Sequence, residues 1–447
     1  MTTMRRRDAS GSVPTYTFDD VQAMSSANDE PAWLRAFREK AWAVYESLPM
    51  PSAKDEDWRR TDIRGVHWEQ AGKLVQPNGA TLETVPAAVR QPLLGDGEGG
   101  TLVFVDGKVV HHAISDDLTA KGVIFTDLLT AAKTHPALVE KYFMTQSVLP
   151  TDGKFAALHG ALWTHGVFVY VPRNVAAELP LHAVMYSTKP GATLGHVLVV
   201  LDENAQATVQ VEYASPEIEG QALYIGATEL LVGQAANLRY VGLQNWSRNT
   251  YEFAHQRGRV GADGQLDWVF AVMGCQLLKD FINLEADGKG ANGRMSGFFF
   301  ADKDQVFDLD TQQNHNAPLT VTDLLFKGAA KDSAKTIWQG MIKSLPKMQK
   351  IDGYQVNRNL VLSDDARMDG IPGLEIEADD VKCSHAATFG TIEAQPVHYL
   401  MSRGVPRPVA EKMVIEGFFD ELLQRIPFEA VRERLQSEIE AKIVGAS

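Results

Sequence analysis

The chain has 447 residues, 45% of them hydrophobic and 22% charged, with a formal net charge of -14. That length suggests two to four structural units, and the composition is that of a soluble globular protein. The acidic balance excludes nucleic acid as the main partner. Two cysteines exclude a disulfide framework or a four-cysteine metal site within one chain.

The opening "MTTMRRRDASGSVPTYTF" is basic, but no apolar core of a signal follows it, and no apolar run approaches the ~20 residues that cross a bilayer. A cytoplasmic protein is expected, and the first 25 or so residues are read as a mobile arm rich in Ser, Thr and Arg. "NDEPAWLRAFREKAWAVYESLPMP" then has helical spacing through Trp33, Phe37, Ala41, Val44 and Leu48. Asn28 or Asp29 is the expected cap, and Pro49 and Pro51 stop the helix. After "EDWRRTDIRG" (56–65), residues 73–100 hold three prolines and a "GDGEGG" run and read as loop. "TLVFVDGKVV" (101–110) alternates around Asp106-Gly107, a hairpin signal.

From about 155 to 392 helical periodicity gives way to short alternating runs between Gly, Asn and Asp corners. Four of them overlay: "NAQATVQVEY" (204–213), "QAANLRYVGL" (234–243), "DGQLDWVFAV" (263–272) and "ANGRMSGFFF" (291–300). Aligning Val209, Leu238, Leu266 and Met295 gives spacings of 29, 28 and 29 residues, the mark of a repeat architecture. Sandwich strands would recur every ~8–12 residues, and the intervals lack the long helices of a βαβ fold. The expected fold is therefore mainly β, a parallel β-helix core flanked by N- and C-terminal helical regions, with a β-sandwich as runner-up. Three regions are expected: 1–150, helical with a linker and the hairpin; 151–395, the coil; and 396–447, helical. In the last, Pro408 opens "PVAEKMVIEGFFDELLQRI", Pro427 closes it, and Phe428, Val431, Leu435, Ile439 and Ile443 start a second amphipathic helix. This pair either caps the coil or docks a partner.

Several motifs offer chemistry. "GKGANG" (288–293) matches G-x-G-x-x-G but is followed by the strand-like "RMSGFFF", so it reads as a tight corner and not as a phosphate loop. No G-x-x-x-x-G-K-[ST] occurs, so no P-loop nucleotide site is expected. The acidic stretch 363–380 lacks the ligand order of a calcium loop and reads as solvated corners. Cys275, in "AVMGCQLL", reads as a buried, inert thiol. His315, in "QQNHNAPLT", reads as a structural hydrogen bonder, with a ligand or catalytic role as the alternative. In "DDVKCSHAATFG" (379–390), strand alternation places Val381, Cys383 and His385 on one face and Lys382 and Ser384 on the other. A thiol and an imidazole on one face can bind a soft or borderline metal, but a tetrahedral ion wants about two more ligands. Either the pair is structural or another subunit completes the site.

The blocks "NHNAPLTVTDLLFKGAAKDSAKTIWQGMI", "NLVLSDDARMDGIPGLEIEADDVKCSHAATFG" and "YLMSRGVPRPVAEKMVIEGFF", in that order over about 110 residues, resemble the SufB/SufD family of iron–sulfur cluster assembly proteins. "KFAALHGALWTHGVFVYVPRNV" (154–175) extends the resemblance over most of residues 150–420. The D-D-V-K-C-S-H run, the chain length and "EDWRRT" resemble the SufD branch. A SufB-like chain usually has Glu after the matching histidine and a SufD-like chain Gly, where this chain has Ala386. The resemblance implies a right-handed parallel β-helix and a non-enzymatic scaffold subunit of an iron–sulfur cluster assembly complex. Such a subunit pairs with a SufB-like paralogue through the β-helix and holds a SufC-like ABC ATPase through its C-terminal helices, with sulfur supplied by a cysteine desulfurase system. It further implies that His385, with Cys383 as a candidate second ligand, meets iron or a transient iron–sulfur cluster at the subunit interface. A reduced flavin is associated with such complexes, but no flavin motif is visible and no residue is assigned to one. A SufB-like scaffold acting alone (with homodimers possible), and a polysaccharide-cleaving β-helix enzyme using Asp or Glu, are the alternatives.

Overall fold

The computed structural model describes residues 14–77, 79–90, 99–426 and 429–445. At its start, the expected mobile arm is in part a helix. Phe18–Ala27 is helical because the Asp20 carboxylate accepts hydrogen bonds from both the N–H and the hydroxyl of Thr17, and because Val21 finds a buried site. Residues 1–13 lie outside the described residues. The next helix, Ala32–Ser47, buries Leu34, Ala41, Trp42 and Tyr45. Its entry residue is Pro31 and not the expected Asn28 or Asp29, since Asn28 ends the preceding helix. Within the expected loop 73–100, one helical turn forms at Leu82–Thr84 and another at Ala87–Arg90. Residues 91–98, with most of the "GDGEGG" run, lie outside the described residues.

The hairpin forms as expected. Gly100–Val105 and Lys108–Ile114 pair antiparallel around Asp106 (φ 51°) and Gly107 (φ 83°), the left-handed pair that a two-residue hairpin turn requires. Gly100–Val105 also pairs in parallel with Leu181–Tyr186 and so joins the coil.

The coil is two ten-stranded sheets between which the chain alternates. The four overlaid runs fall on one sheet as Gln206–Ala214, Asn237–Asn245, Gln265–Val272 and Asn292–Ala301. Between them Ala222–Val232, Thr250–Val260 and Leu277–Ala286 build the other sheet, so each repeat holds two strands. The rung alignment needs one correction. Leu238 does stand over Leu266, but the inward ladder runs Val209, Tyr240, Trp268, Met295, Leu324. Two of the expected joints are off by two residues. Because side chains alternate with period two, the slip leaves each residue on its expected face. A continuous apolar core from Leu102 to Trp338 fills the space between the sheets.

The N-terminal helices and Lys154–Leu162 cover the outer face of one sheet through Phe143, Phe155, Trp163 and Phe253. The C-terminal helices Ala394–Ser402, Arg407–Leu423 and Glu429–Val444 follow the coil; Pro427 and Phe428 lie outside the described residues. Of the two expectations for these helices, capping is not what is seen. They lie along the coil's flank, with Phe419, Leu422 and Leu435 packed on Val241, Val269, Phe298 and Phe300. Arg434 pairs with buried Glu212, and Lys442 with buried Asp302.

The two ends of the coil differ. At the first, Lys108–Ile114 and Ile124–Asp127 close the sheets with antiparallel strands. At the other, Arg367–Ile376 and Val381–Gly390 are each paired on one side only.

Candidate functional site

Cys383 and His385 lie on that open edge. The strand carrying them starts at a pinned corner, where the Lys350 N–H donates to the Asp380 carbonyl at 2.6 Å and the Asp380 N–H to Gln349 Oε1 at 2.7 Å. From there Val381–Gly390 runs in register over Ile351–Leu360, with Cys383 above Gly353 and His385 above Gln355. One rung further in, the partners are Thr322 and Leu324, both buried. Cys383 and His385 therefore extend two inward-facing columns beyond the last covered rung, with Lys382 and Ser384 on the opposite face. Alternation had placed them so. Cys383 is half-buried and His385 exposed.

The floor beneath them is polar. Leu324 and Phe326 give way on the next rung to Gln355 and Asn357, with Asn359 beyond, all buried. Gln355, the register partner of His385, donates from Nε2 to the Gly373 carbonyl at 3.1 Å, while its Oε1, close to Gly340, has no partner among the described residues. Asn359 donates to Asn357 Oδ1. These amides were missed from the sequence. Their signal is the run "YQVNRN", whose polar residues fall at inward positions once the register is known.

Gly353 leaves a gap there. A Cβ on it would stand 3.1 Å from His315 Nε2 and 3.4 Å from Cys383 Sγ, so both atoms border the same space. His315 is buried, with Nδ1 2.7 Å from Thr320 Oγ1 and Nε2 2.9 Å from Thr322 Oγ1. Both nitrogens are used, and burial lowers its pKa to about 4, so the ring is neutral at neutral pH. That is the geometry of a structural hydrogen bonder. Burial also pushes the Cys383 thiol up, aided by the Asp352 carboxylate and opposed by a bond from the Gly353 backbone. Among the described residues no three His, Cys, Asp or Glu side chains converge as a metal set.

Two of the other motifs fall as read, and the acidic stretch 363–380 does not: its middle, Arg367–Ile376, is a strand and not a corner. Cys275 is fully buried, and burial raises its thiol far above the usual range. The "GKGANG" glycines turn a corner between strands Leu277–Ala286 and Asn292–Ala301. A Cβ on Gly288 would fall 1.9 Å from the Ala262 nitrogen. In the acidic stretch, Asp369 pairs with Arg367 and Glu375 with Lys343.

A two-layered parallel coil, closed at one end by antiparallel strands and ending at the other in a rung paired on one side only, defines the class of parallel β-helix proteins. The comparisons agree with that class. Residues 184–418 match the SufBD core domain of the SUF system for iron–sulfur cluster assembly, and residues 16–183 match the SufBD protein N-terminal region. The chain is 34% identical over 430 residues to the iron–sulfur cluster assembly protein SufD of Bacillus subtilis, covering 95% of this chain and 97% of that protein. It is 29% identical over 422 residues to an iron–sulfur cluster assembly SufBD family protein of Staphylococcus haemolyticus, covering 92% and 89%. The chain belongs to the SufBD family of iron–sulfur cluster assembly proteins and is SufD-like within it. Nothing in these matches favours the polysaccharide-cleaving alternative. No helix among the described residues is long and apolar enough to cross a membrane.

Proposed function

We propose that this chain is the SufD-like scaffold subunit of an iron–sulfur cluster assembly complex, without an enzymatic activity of its own. Its open end meets a SufB-like paralogue there, and Cys383 and His385 supply half of a shared site for iron or a nascent cluster. One observation carries this reading. The only cysteine outside the core and its neighbouring histidine share one face of a strand whose outer edge is unpaired. A tetrahedral iron site needs about four ligands, and two come from here. The second chain brings the rest, which accounts for a donor set this chain does not complete.

The C-terminal helices present Tyr399, Met401, Val409 and Met413 to solvent while their other faces pack on the coil. This apolar outer face is the proposed dock for a SufC-like ATPase, with the sulfur delivered by a cysteine desulfurase system. His385→Ala is expected to slow cluster maturation at least about tenfold in cells that depend on this chain, while leaving the complex intact. Maturation at the normal rate would remove the ligand role. Tyr399→Asp combined with Met413→Asp is expected to abolish co-purification of the ATPase without loss of fold by circular dichroism. Truncating the helices is a poorer test, because it strips cover from Phe298 and Phe300.

A further inference from the structure

Three buried ionisable side chains meet where the N-terminal cover lies on the coil. His196 comes from strand Gly195–Leu201, Glu229 from strand Ala222–Val232, and His159 from the covering helix Lys154–Leu162. All three are 0% exposed. They form a line. His159 Nδ1 is 3.0 Å from the Ile225 carbonyl, His159 Nε2 is 2.9 Å from His196 Nδ1, and His196 Nε2 is 3.2 Å from Glu229 Oε1. The third contact lies off the axis of the ring nitrogen and is the loosest. At its far end the Glu229 carboxyl also accepts the N–H of Met144 at 2.7 Å and of Val148 at 3.1 Å, so the covering turn 143–148 hangs on the same group.

The line fixes its own proton count. The Ile225 carbonyl only accepts, so His159 carries its proton on Nδ1 and presents Nε2 as an acceptor. His196 then donates from Nδ1, which leaves its Nε2 as an acceptor too. Two neutral rings fill two of the three contacts, and the third takes its proton from Glu229. The unit as a whole is uncharged. An ionised Glu229 would set a buried carboxylate against a ring lone pair, and the two cations nearest the line are engaged elsewhere. Arg257 pairs with Asp152 at 2.9 Å and donates to the Ser147 carbonyl, and Arg38 pairs with Glu30 at 2.7 Å. His255, the other titratable ring beside the helix, is kept neutral by burial. Burial likewise raises Glu229 to about 8 and holds His196 at about 3.

We propose that Glu229, His196 and His159 form a proton-held latch between the coil and its N-terminal cover: the proton on the Glu229 carboxyl keeps turn 143–148 and helix Lys154–Leu162 seated, and its loss lets them lift until water reaches the carboxylate. Lifted, Glu229 returns toward the ordinary carboxylate range, so each opening above that range releases one proton. The seated value lies above the lifted one, so this hold is complete at low pH and is lost as the pH rises toward 8. The two histidines act in the opposite sense below about pH 6.5, where the lifted rings take up protons. The latch is therefore tightest near pH 6.5. It shares no residue with Cys383 and His385, and its test is independent of the cluster reading.

The experiment is hydrogen–deuterium exchange of the full chain from pH 6.5 to 9, corrected for the chemical exchange rate. Opening of turn 143–148 and helix Lys154–Leu162 is expected to rise about fivefold between pH 7 and 9, levelling off above about pH 8.5. That one-proton rise should be shallower than the rise in the coil strands Val321–Ala330 and Lys335–Ser344, and in Glu229→Gln it should vanish. Glutamine sets an N–H against one of the two backbone donors, so the native chain supplies a second reading that needs no variant. Nitrogen-15 NMR of its histidines at pH 6.5 should show His159 and His196 neutral, each with its proton on Nδ1. A proton on Nε2 of either ring, or an imidazolium at either, would overturn the proton count. Exchange of the cover that is flat with pH, that rises as steeply as the coil, or that rises equally in Glu229→Gln would overturn the latch.

Discussion

Cys383 combines access to solvent with a pKa held up. The thiolate is the ligand form, and neither a cation nor a helix N-terminus stabilises it here. Burial and Asp352 both favour the neutral thiol. In the proposed ligand role, an incoming metal ion would reverse that balance by replacing the proton. The expected consequence is slow alkylation. At neutral pH the single accessible thiol should react with iodoacetamide more slowly than a free cysteine, and its rate should keep climbing with no plateau below about pH 9. Cys275 is buried and silent in the folded state, so the measured rate belongs to Cys383. A plateau below that pH would mean a nearby positive charge absent from the geometry described above.

At the scale of elements, the C-terminal helices are held to the coil by ion pairs as well as by apolar packing. Arg434 reaches Glu212, which also accepts from His182 Nε2 at 2.8 Å and Gln210 Nε2 at 2.8 Å, and all three of these coil residues are buried. Removing the guanidinium leaves a buried carboxylate short of its cation, a loss of about 3 kcal/mol. Arg434→Met is therefore expected to raise amide hydrogen exchange across Arg407–Leu423 and Glu429–Val444 while the coil strands stay protected. Uniform change across both would mean the helices and coil open together. These helices were legible in the sequence, since their apolar spacing needs no partner to be seen. Their docking on the flank was not, because it depends on Glu212 and Asp302, which lie well over 100 residues away in the chain. The same division holds elsewhere. Asp106-Gly107 announced its hairpin through local turn chemistry, and Cys383 and His385 announced a shared face through period two. The helix Phe18–Ala27 was hidden by a polar composition, and the rung register was misplaced by two because neither side-chain alternation nor spacing distinguishes an even slip. The polar floor of Gln355, Asn357 and Asn359 follows only once that register is known.

Across the whole molecule, buried ionisable groups divide into two sets that pull stability in opposite directions with pH. Five histidines are held neutral by burial: His165, His255 and His315 at about 4, His196 at about 3, and His159 well below its ordinary value. Unfolding releases them to about 6.5, so the unfolded chain binds more protons as the pH falls from there toward 4, and stability drops with it. Five acids are displaced the other way: burial raises Glu229 and Glu252 to about 8, Asp280 to about 7, and Asp310 and Glu438 to about 6. Their folded values exceed the unfolded ones, so the stability they lend is complete below about pH 4 and is lost as the pH rises toward 8. Above about pH 6.5 the histidines are neutral in both states and only the acids count. With two protons held by the folded state alone, stability falls by about 2.7 kcal/mol per pH unit until they ionise. Below about pH 6 the five histidines are offset by the five acids, and the slope flattens. The urea midpoint is therefore expected to stay nearly level between about pH 5 and 6 and to decline from about pH 6.5 to 8. Glu252→Gln isolates one arm of this balance. It keeps the shape of the side chain and its acceptor for Gln244 but has no proton to lose, so the decline between pH 6.5 and 8 should lessen by about half. An unchanged slope in that variant would show that Glu252 is already ionised in the folded coil, with its charge met by a group other than Gln244.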